Sequence, residues 1–384
     1  MTARGRSAFW TRDLAGRDIA LDALRGLFVL GMIFVNHSPV NAPVFPPFVH
    51  APWHGWTFAD TIFPGFLFCV GISIRLAMVD GMGRPLRPTG GVWIRVLRRF
   101  ALLLVLSFLL ENFPYYELEK LRFAGTLALI AWCYLLASVL HLLLGWRAQL
   151  AAVVGALGLQ WAAYTLLPVP GAGVLSPESN PARFVDLALL SPLLGVGHLP
   201  NDRVDDLILL PTLGAIATTL IGLLVGHWVR SARARRVHVR GLAIAGFALV
   251  ALGVVWNMAL PINKPLWTGS YVALMAGISM LLLALLYWIT DLTGRVKWVR
   301  PLQVAGVNAL FFYVFAQSLQ RILVYGRLPE AGGGTVRLRE WIYREWFAGW
   351  SVPEVGSLVY ALVFLAIGYA AVLVLYRKRL FFKL

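Results

Sequence analysis

Three of the chain's seven histidines, His37, His50 and His54, fall within eighteen residues, with Asn36 beside the first and Asp60 just beyond the last. Imidazole changes its charge close to neutral pH and is the side chain best suited to moving a proton there. A carboxylate bound to one ring nitrogen sets the tautomer and leaves the other nitrogen as a base, so Asp60 is the candidate to orient His50. An asparagine at a helix end, such as Asn36, can hold a carbonyl oxygen or an amine. The intervening segment carries Pro39, Pro43, Pro46, Pro47 and Pro52, together with Trp53 and Trp56, and contains no Lys or Arg. It reads as a stiff aromatic loop in which no cation of its own acts on His50 or His54. His37 and His54 read equally as ordinary polar residues at an interface. Metal binding by the three histidines is not expected, because there is no H-x-x-x-H pair and the spacings are loose.

Other polar residues stand out because apolar blocks surround them, and polar groups inside such blocks are costly. Asp22 and Arg25 are three residues apart, so they share a helix face and can pair, or Arg25 can meet an anion. Arg98 and Arg99 lie beside each other at the start of another apolar block. Arg122 precedes Gly125; His198 precedes Asn201, Asp202, Asp205 and Asp206; and Asn263 and Lys264 sit in the turn from Pro261 to Trp267. Asn308 and Gln317 fall within a further block.

The elements that must position these residues are membrane helices. Of the 384 residues, 59% are hydrophobic and only 14% charged, against roughly 25% charged in a soluble domain. The apolar residues come in blocks about as long as a helix needs to cross a hydrocarbon core. Ten are read, at 20–38, 57–79, 92–112, 122–144, 148–168, 207–229, 240–260, 266–290, 301–325 and 354–377. This predicts an all-α integral membrane protein, a polytopic bundle forming one domain over residues 1–384. An even number of spans places both termini in the cytoplasm and collects Arg4, Arg6, Arg12, Arg17, the run from Arg230 to Arg240 and the tail Arg377, Lys378 and Arg379 on the inner side. The net charge of +16 then reports topology and contact with anionic headgroups rather than nucleic acid. Residues 1–19 are the inner tail, 38–56 the outer loop with His50, and 169–206 and 326–353 two long outer loops. Within the last, 336–350 reads as an interfacial helix anchored by Trp341, Trp346 and Trp350. Cys69 and Cys133 read as small buried hydrophobes.

At the histidine loop the chain resembles a known family. Leu21-Asp22-x-x-Arg25-Gly26, Val35-Asn36, and His50-Ala51-x-Trp53-x-Gly55-x-Thr57-x-Ala59-Asp60-x-x-Phe63-Pro64 are similar to the heparan-α-glucosaminide N-acetyltransferases. The similarity continues in Arg122-x-x-Gly125-x-Leu127, in Ile262-Asn263-Lys264-x-Leu266-Trp267-x-x-Ser270-Tyr271 and in Asn308-Ala309. The resemblance implies transfer of an acetyl group from cytosolic acetyl-CoA to a glucosamine amine on the far side of the membrane. It implies Asn36 and His50 as active-site residues and Asp60 as the loop carboxylate. The Asn36-to-His50 spacing is longer here than in the family, through extra prolines. Asp205-Asp206-Leu207-Ile208 stands where the family often has Asp-Pro-Glu-Gly, on the side that faces the acceptor.

The expected function is therefore a transmembrane acyltransferase, with acetyl-CoA as co-substrate and an amino sugar of a glycan or cell envelope as acceptor. Arg25, Arg98 and Arg99 are the candidates for the CoA phosphates, since a guanidinium donates two hydrogen bonds at once. Trp53, Arg122, His198, Asn263 and Lys264 are candidates for the acceptor. His50 serves as general base or as a nucleophile through an acetyl-imidazole, and both routes stay open. N- and O-acylation stay open as well. Arginine-rich composition and the absence of an added luminal region suit a bacterial plasma membrane, and a second copy of the chain is a candidate partner. A small-solute permease and a non-catalytic envelope-assembly protein are the rival classes.

Overall fold

Each of the ten apolar blocks becomes helix in the computed structural model, which describes residues 10–11, 16–39, 42–80, 84–116, 124–169, 175–194, 208–330 and 334–382. The helices among the described residues are α1 (Ile19–Asn36), α2 (Phe58–Ala77), α3 (Gly90–Asn112), α4 (Thr126–Leu143), α5 (Trp146–Leu166), α6 (Pro181–Leu194) and α7 (Leu209–Val229). They continue with α8 (Arg235–Trp256), α9 (Gly269–Tyr287), α10 (Val296–Val307), α11 (Ala309–Tyr325), α12 (Leu338–Trp346) and α13 (Pro353–Arg377). Two short antiparallel ribbons complete the inventory: β1 (Trp10–Thr11) with β4 (Phe381–Phe382), and β2 (Arg327–Pro329) with β3 (Thr335–Arg337).

The protein is an all-α polytopic membrane protein, but the ten blocks are not equivalent. Eight helices among the described residues are long and apolar enough to cross a membrane, or nine if a bent pair counts as one. That pair is α10 and α11, read in the sequence as a single span at 301–325 and here bent by 65°. The break has a visible cause. Asn308 leaves the helical conformation, and its amide donates to Leu380 O (3.1 Å) and accepts from Phe382 N (2.8 Å), which clasps the C-terminal strand. The third block, α3, falls short of the other eight because Arg95, Arg98, Arg99 and Glu111 lie within it.

Both long loops contain structure. The 169–206 loop holds α6, whose start follows the usual rule for helix N-termini: Asn180 Oδ1 accepts from Arg183 N at 3.0 Å and Pro181 takes the first position. In the 326–353 loop β2 and β3 form a hairpin, and the expected interfacial helix is present as the shorter α12. Arg344 ties that helix to Glu330 (2.7 Å), leaving Trp346 exposed.

The chain packs as two compact units, one made of Met1–Val49 with Leu286–Leu384, the other of His50–Leu285. In the first unit α1 packs along α10, and also against α11 and α13. A Cβ on Gly26 would lie 1.8 Å from Leu302 O, and one on Gly306 1.7 Å from Asp22 O. The two backbones therefore touch, as small residues permit between membrane helices. In the second unit α7 is central, packed against α2, α4, α5 and α6. Its closest neighbour is α2, where a Cβ on Gly71 would lie 1.9 Å from Thr219 O. Cys69 and Cys133 are both buried thiols in this core.

Candidate active site

The site is built around the N-terminus of α2 in the second unit. Thr57 and Asp60 form a capping box: Asp60 Oδ2 accepts from Thr57 N (3.0 Å) and Thr57 Oγ1 (3.2 Å). A carboxylate here satisfies an otherwise orphan amide and meets the positive end of the helix dipole. The same oxygen accepts from Ala51 N (3.1 Å), which draws the histidine loop over the helix end. Oδ1 faces His50, whose Nδ1 lies 2.7 Å away, and Lys264, whose Nζ lies 3.3 Å away. The Asp60 side chain is 1% exposed and that of His50 is 43% exposed. A buried carboxylate persists only when its lone pairs are satisfied, and five donors meet this one. Because Asp60 Oδ1 can only accept when ionised, the proton of the pair sits on His50 Nδ1, and Nε2 carries the lone pair, 3.4 Å from Lys264 Nζ.

A second loop holds the first in place. Gly55 N donates to Ile262 O (2.7 Å), and His54 and Asn263 form an antiparallel bridge. Asn263 is fully buried. Its Nδ2 donates to Trp53 O (3.0 Å) and reaches His54 Nδ1 (3.3 Å), while its Oδ1 accepts from Leu266 N (2.8 Å). Burial holds the His54 imidazole below its ordinary pKa of 6.5, in keeping with a neutral ring that accepts at Nδ1. Tyr271 Oη, buried in α9, donates to the Asp60 carbonyl at 2.6 Å. Trp53 Nε1 donates to Leu175 O at 2.6 Å, and its ring packs on the core of Tyr164, Leu175, Leu210 and Leu266.

Of the residues singled out in the sequence, His50, Asp60, Trp53, Asn263 and Lys264 thus converge. Within that group Trp53 and Asn263 hold the loops together, while the His50 and Lys264 side chains are partly exposed. The loop supplies no cation of its own, yet one reaches His50 from more than two hundred residues away: Lys264 Nζ is 3.0 Å from His50 Nδ1. Asn36 is exposed at the end of α1 in the first unit. Arg25, also in that unit, is bound to Asp22 at 2.6 Å, and Arg17 grips the same carboxylate with two bonds of 2.8 and 2.9 Å. Arg98 is exposed on α3, and Arg99 stacks its guanidinium 4.5 Å above the Tyr134 ring. Arg122 and His198 lie outside the described residues. The sequence reading passed over Thr57 and Tyr271 as participants; Thr57 three residues before Asp60 is a capping-box signal that could have been read.

A polytopic helical membrane protein with an exposed histidine oriented by a buried carboxylate at a helix N-terminus is the class that fold and site define. Its sequence matches the family described as heparan-alpha-glucosaminide N-acetyltransferase, catalytic, over residues 17–262, and the chain belongs to that family. It is 28% identical to the human heparan-alpha-glucosaminide N-acetyltransferase over 356 residues, which is 77% of this chain and 52% of that protein. With the mouse protein of the same name it shares 25% identity over 437 aligned residues, 97% of this chain and 61% of the other. The chain thus spans between about half and three fifths of the length of these curated relatives.

Proposed function

We propose that this protein is a transmembrane N-acetyltransferase that moves an acetyl group from acetyl-CoA to the amine of a glucosamine-class sugar. The observation that carries the proposal is the 2.7 Å contact between exposed His50 and buried Asp60 in a chain of this family. Asp60 fixes the tautomer that leaves the lone pair on Nε2. In a direct transfer Nε2 takes the proton of the acceptor amine as nitrogen attacks the thioester carbonyl. The C–S bond then breaks, and the imidazolium returns the proton to the departing CoA thiolate. In a two-step transfer Nε2 attacks first and an acetyl-imidazole forms. A burst of CoA released without acceptor marks the second route. Asn36 takes, by family resemblance, the contact to the carbonyl oxygen, a role whose loss costs about 10²–10³ in rate. Lys264 shares the Asp60 charge beside His50.

In this proposal both termini and the arginine-rich loops face the cytoplasm, where acetyl-CoA is held, and the His50 loop faces the opposite side of a plasma membrane. The test is CoA release by purified protein given acetyl-CoA and glucosamine. Wild type is expected to turn over and His50→Ala to fall to background with its fold intact. Equal release by the two proteins would overturn the assignment.

A further inference from the structure

At the far end of α2 from Asp60, fifteen residues and about 22 Å along the helix, lies a second polar group that the acyl-transfer chemistry does not use. The backbones of α2 and α7 run in contact along Gly71 and Gly222, and a Cβ on Gly226 would lie 2.7 Å from Arg75 Cβ. This approach sets Arg75, in the last turn of α2, against His227, in the last turn of α7. Arg75 Nε donates to His227 Nδ1 at 3.1 Å. A guanidinium has no lone pair to give, so Nδ1 is the acceptor and the ring proton sits on Nε2. That Nε2–H is buried and meets no acceptor among the described residues. His141, in the last turn of α4, lies edge-on with its ring centroid 5.4 Å from that of His227. Both His141 (2% exposed) and Arg75 (7%) are buried. Arg230, the residue after α7, is close enough to act on Arg75 electrostatically and is itself exposed.

Three helix C-termini meet here, and their dipoles favour a cation, which accounts for Arg75. They do not account for the His227 Nε2–H, which meets no acceptor among the described residues, because buried polar groups are nearly always paired. Guanidinium and imidazole donors converging from several elements, reinforced by a second arginine, suit an anion with several oxygens on one centre. We propose that Arg75, His141, His227 and Arg230 form a binding site for a phosphate group. Two ligands carry that chemistry: the nucleotide end of the acyl donor, and the headgroup of an anionic lipid. Only the first rests on the acyl-transfer reading; the site itself does not.

The test uses the purified full chain in nanodiscs of phosphatidylcholine, titrated with adenosine 3′,5′-bisphosphate and with inorganic phosphate, and again in nanodiscs containing phosphatidylglycerol. Direct binding and the thermal midpoint are read. Saturable binding of a phosphate ligand is expected, weakened about tenfold or more by Arg75→Gln and by Arg230→Gln and retained by His50→Ala. Arg230 is exposed, so its variant carries the test if Arg75→Gln does not fold. Bisphosphate binding in both bilayers identifies the nucleotide as the source. Stabilisation by phosphatidylglycerol that depends on Arg75 or Arg230, with no bisphosphate binding, identifies the lipid. The proposal is overturned if no phosphate ligand or anionic lipid binds saturably, or if binding is the same in wild type and every folded arginine variant. Arginine-dependent binding in a protein without acyl transfer would sink the proposed enzyme and leave this site standing.

Discussion

Asp60 does two things with two oxygens. One closes the capping box of α2 with Thr57 and gathers Ala51, and the other orients His50 beside Lys264. Asp60→Asn keeps the size and one accepting oxygen but removes the charge and can present an N–H to the ring. We expect kcat/KM to fall by about 10²–10⁴ with a small change in thermal midpoint, measured on the same preparation. A loss of stability as large as the loss of activity would make Asp60 a helix cap only. His54 gives a pH prediction. Burial lowers its pKa in the folded state, so between that value and 6.5 the unfolded chain binds more protons. Its contribution to stability is complete above 6.5 and is lost as the pH falls through the folded value. Melts from pH 8 downward should therefore show a mild acid-side loss that His54→Gln reduces.

At the scale of elements, glycines decide how closely helices meet, and that closeness sets the positions of the chemical groups. Gly71 leaves no room for a side chain between α2 and Thr219 O on α7. Gly71→Val has to push the helices apart and should cost about 3 kcal/mol, seen as a lower melting temperature in detergent. Because α2 carries Asp60 at one end and Arg75 at the other, activity and phosphate binding should fall together in that variant. A melting temperature equal to wild type would mean that the pair is not packed as described. The bridge between the His50 loop and the Ile262–Trp267 turn works differently, through the buried amide of Asn263 rather than through packing. It explains why two motifs two hundred residues apart were both prominent in the sequence: each supplies half of one hydrogen-bonded unit.

For the whole molecule the proposed orientation carries the largest consequence, since acetyl-CoA and acceptor are placed on opposite sides of the membrane. Both native cysteines are buried, so single thiols can be introduced against a quiet background. Val49→Cys, next to His50, is expected to react with an impermeant maleimide in intact cells, and Lys378→Cys only after permeabilisation. The reverse pattern would remove the transmembrane direction of transfer. The class of the protein, the location of its helices and the His50–Asp60 pairing were legible in the chain itself, because long apolar blocks, local spacing and a capping box depend on near neighbours. The split of the 301–325 block was not, because the break at Asn308 is stabilised by hydrogen bonds to Leu380 and Phe382, more than seventy residues away. Neither was the approach of Lys264 to His50, nor the meeting of Arg75, His141 and His227 from three helices. Composition and periodicity determine which segments leave water. Which side chains then meet is decided by how closely the backbones pack, and only the tertiary structure holds that information.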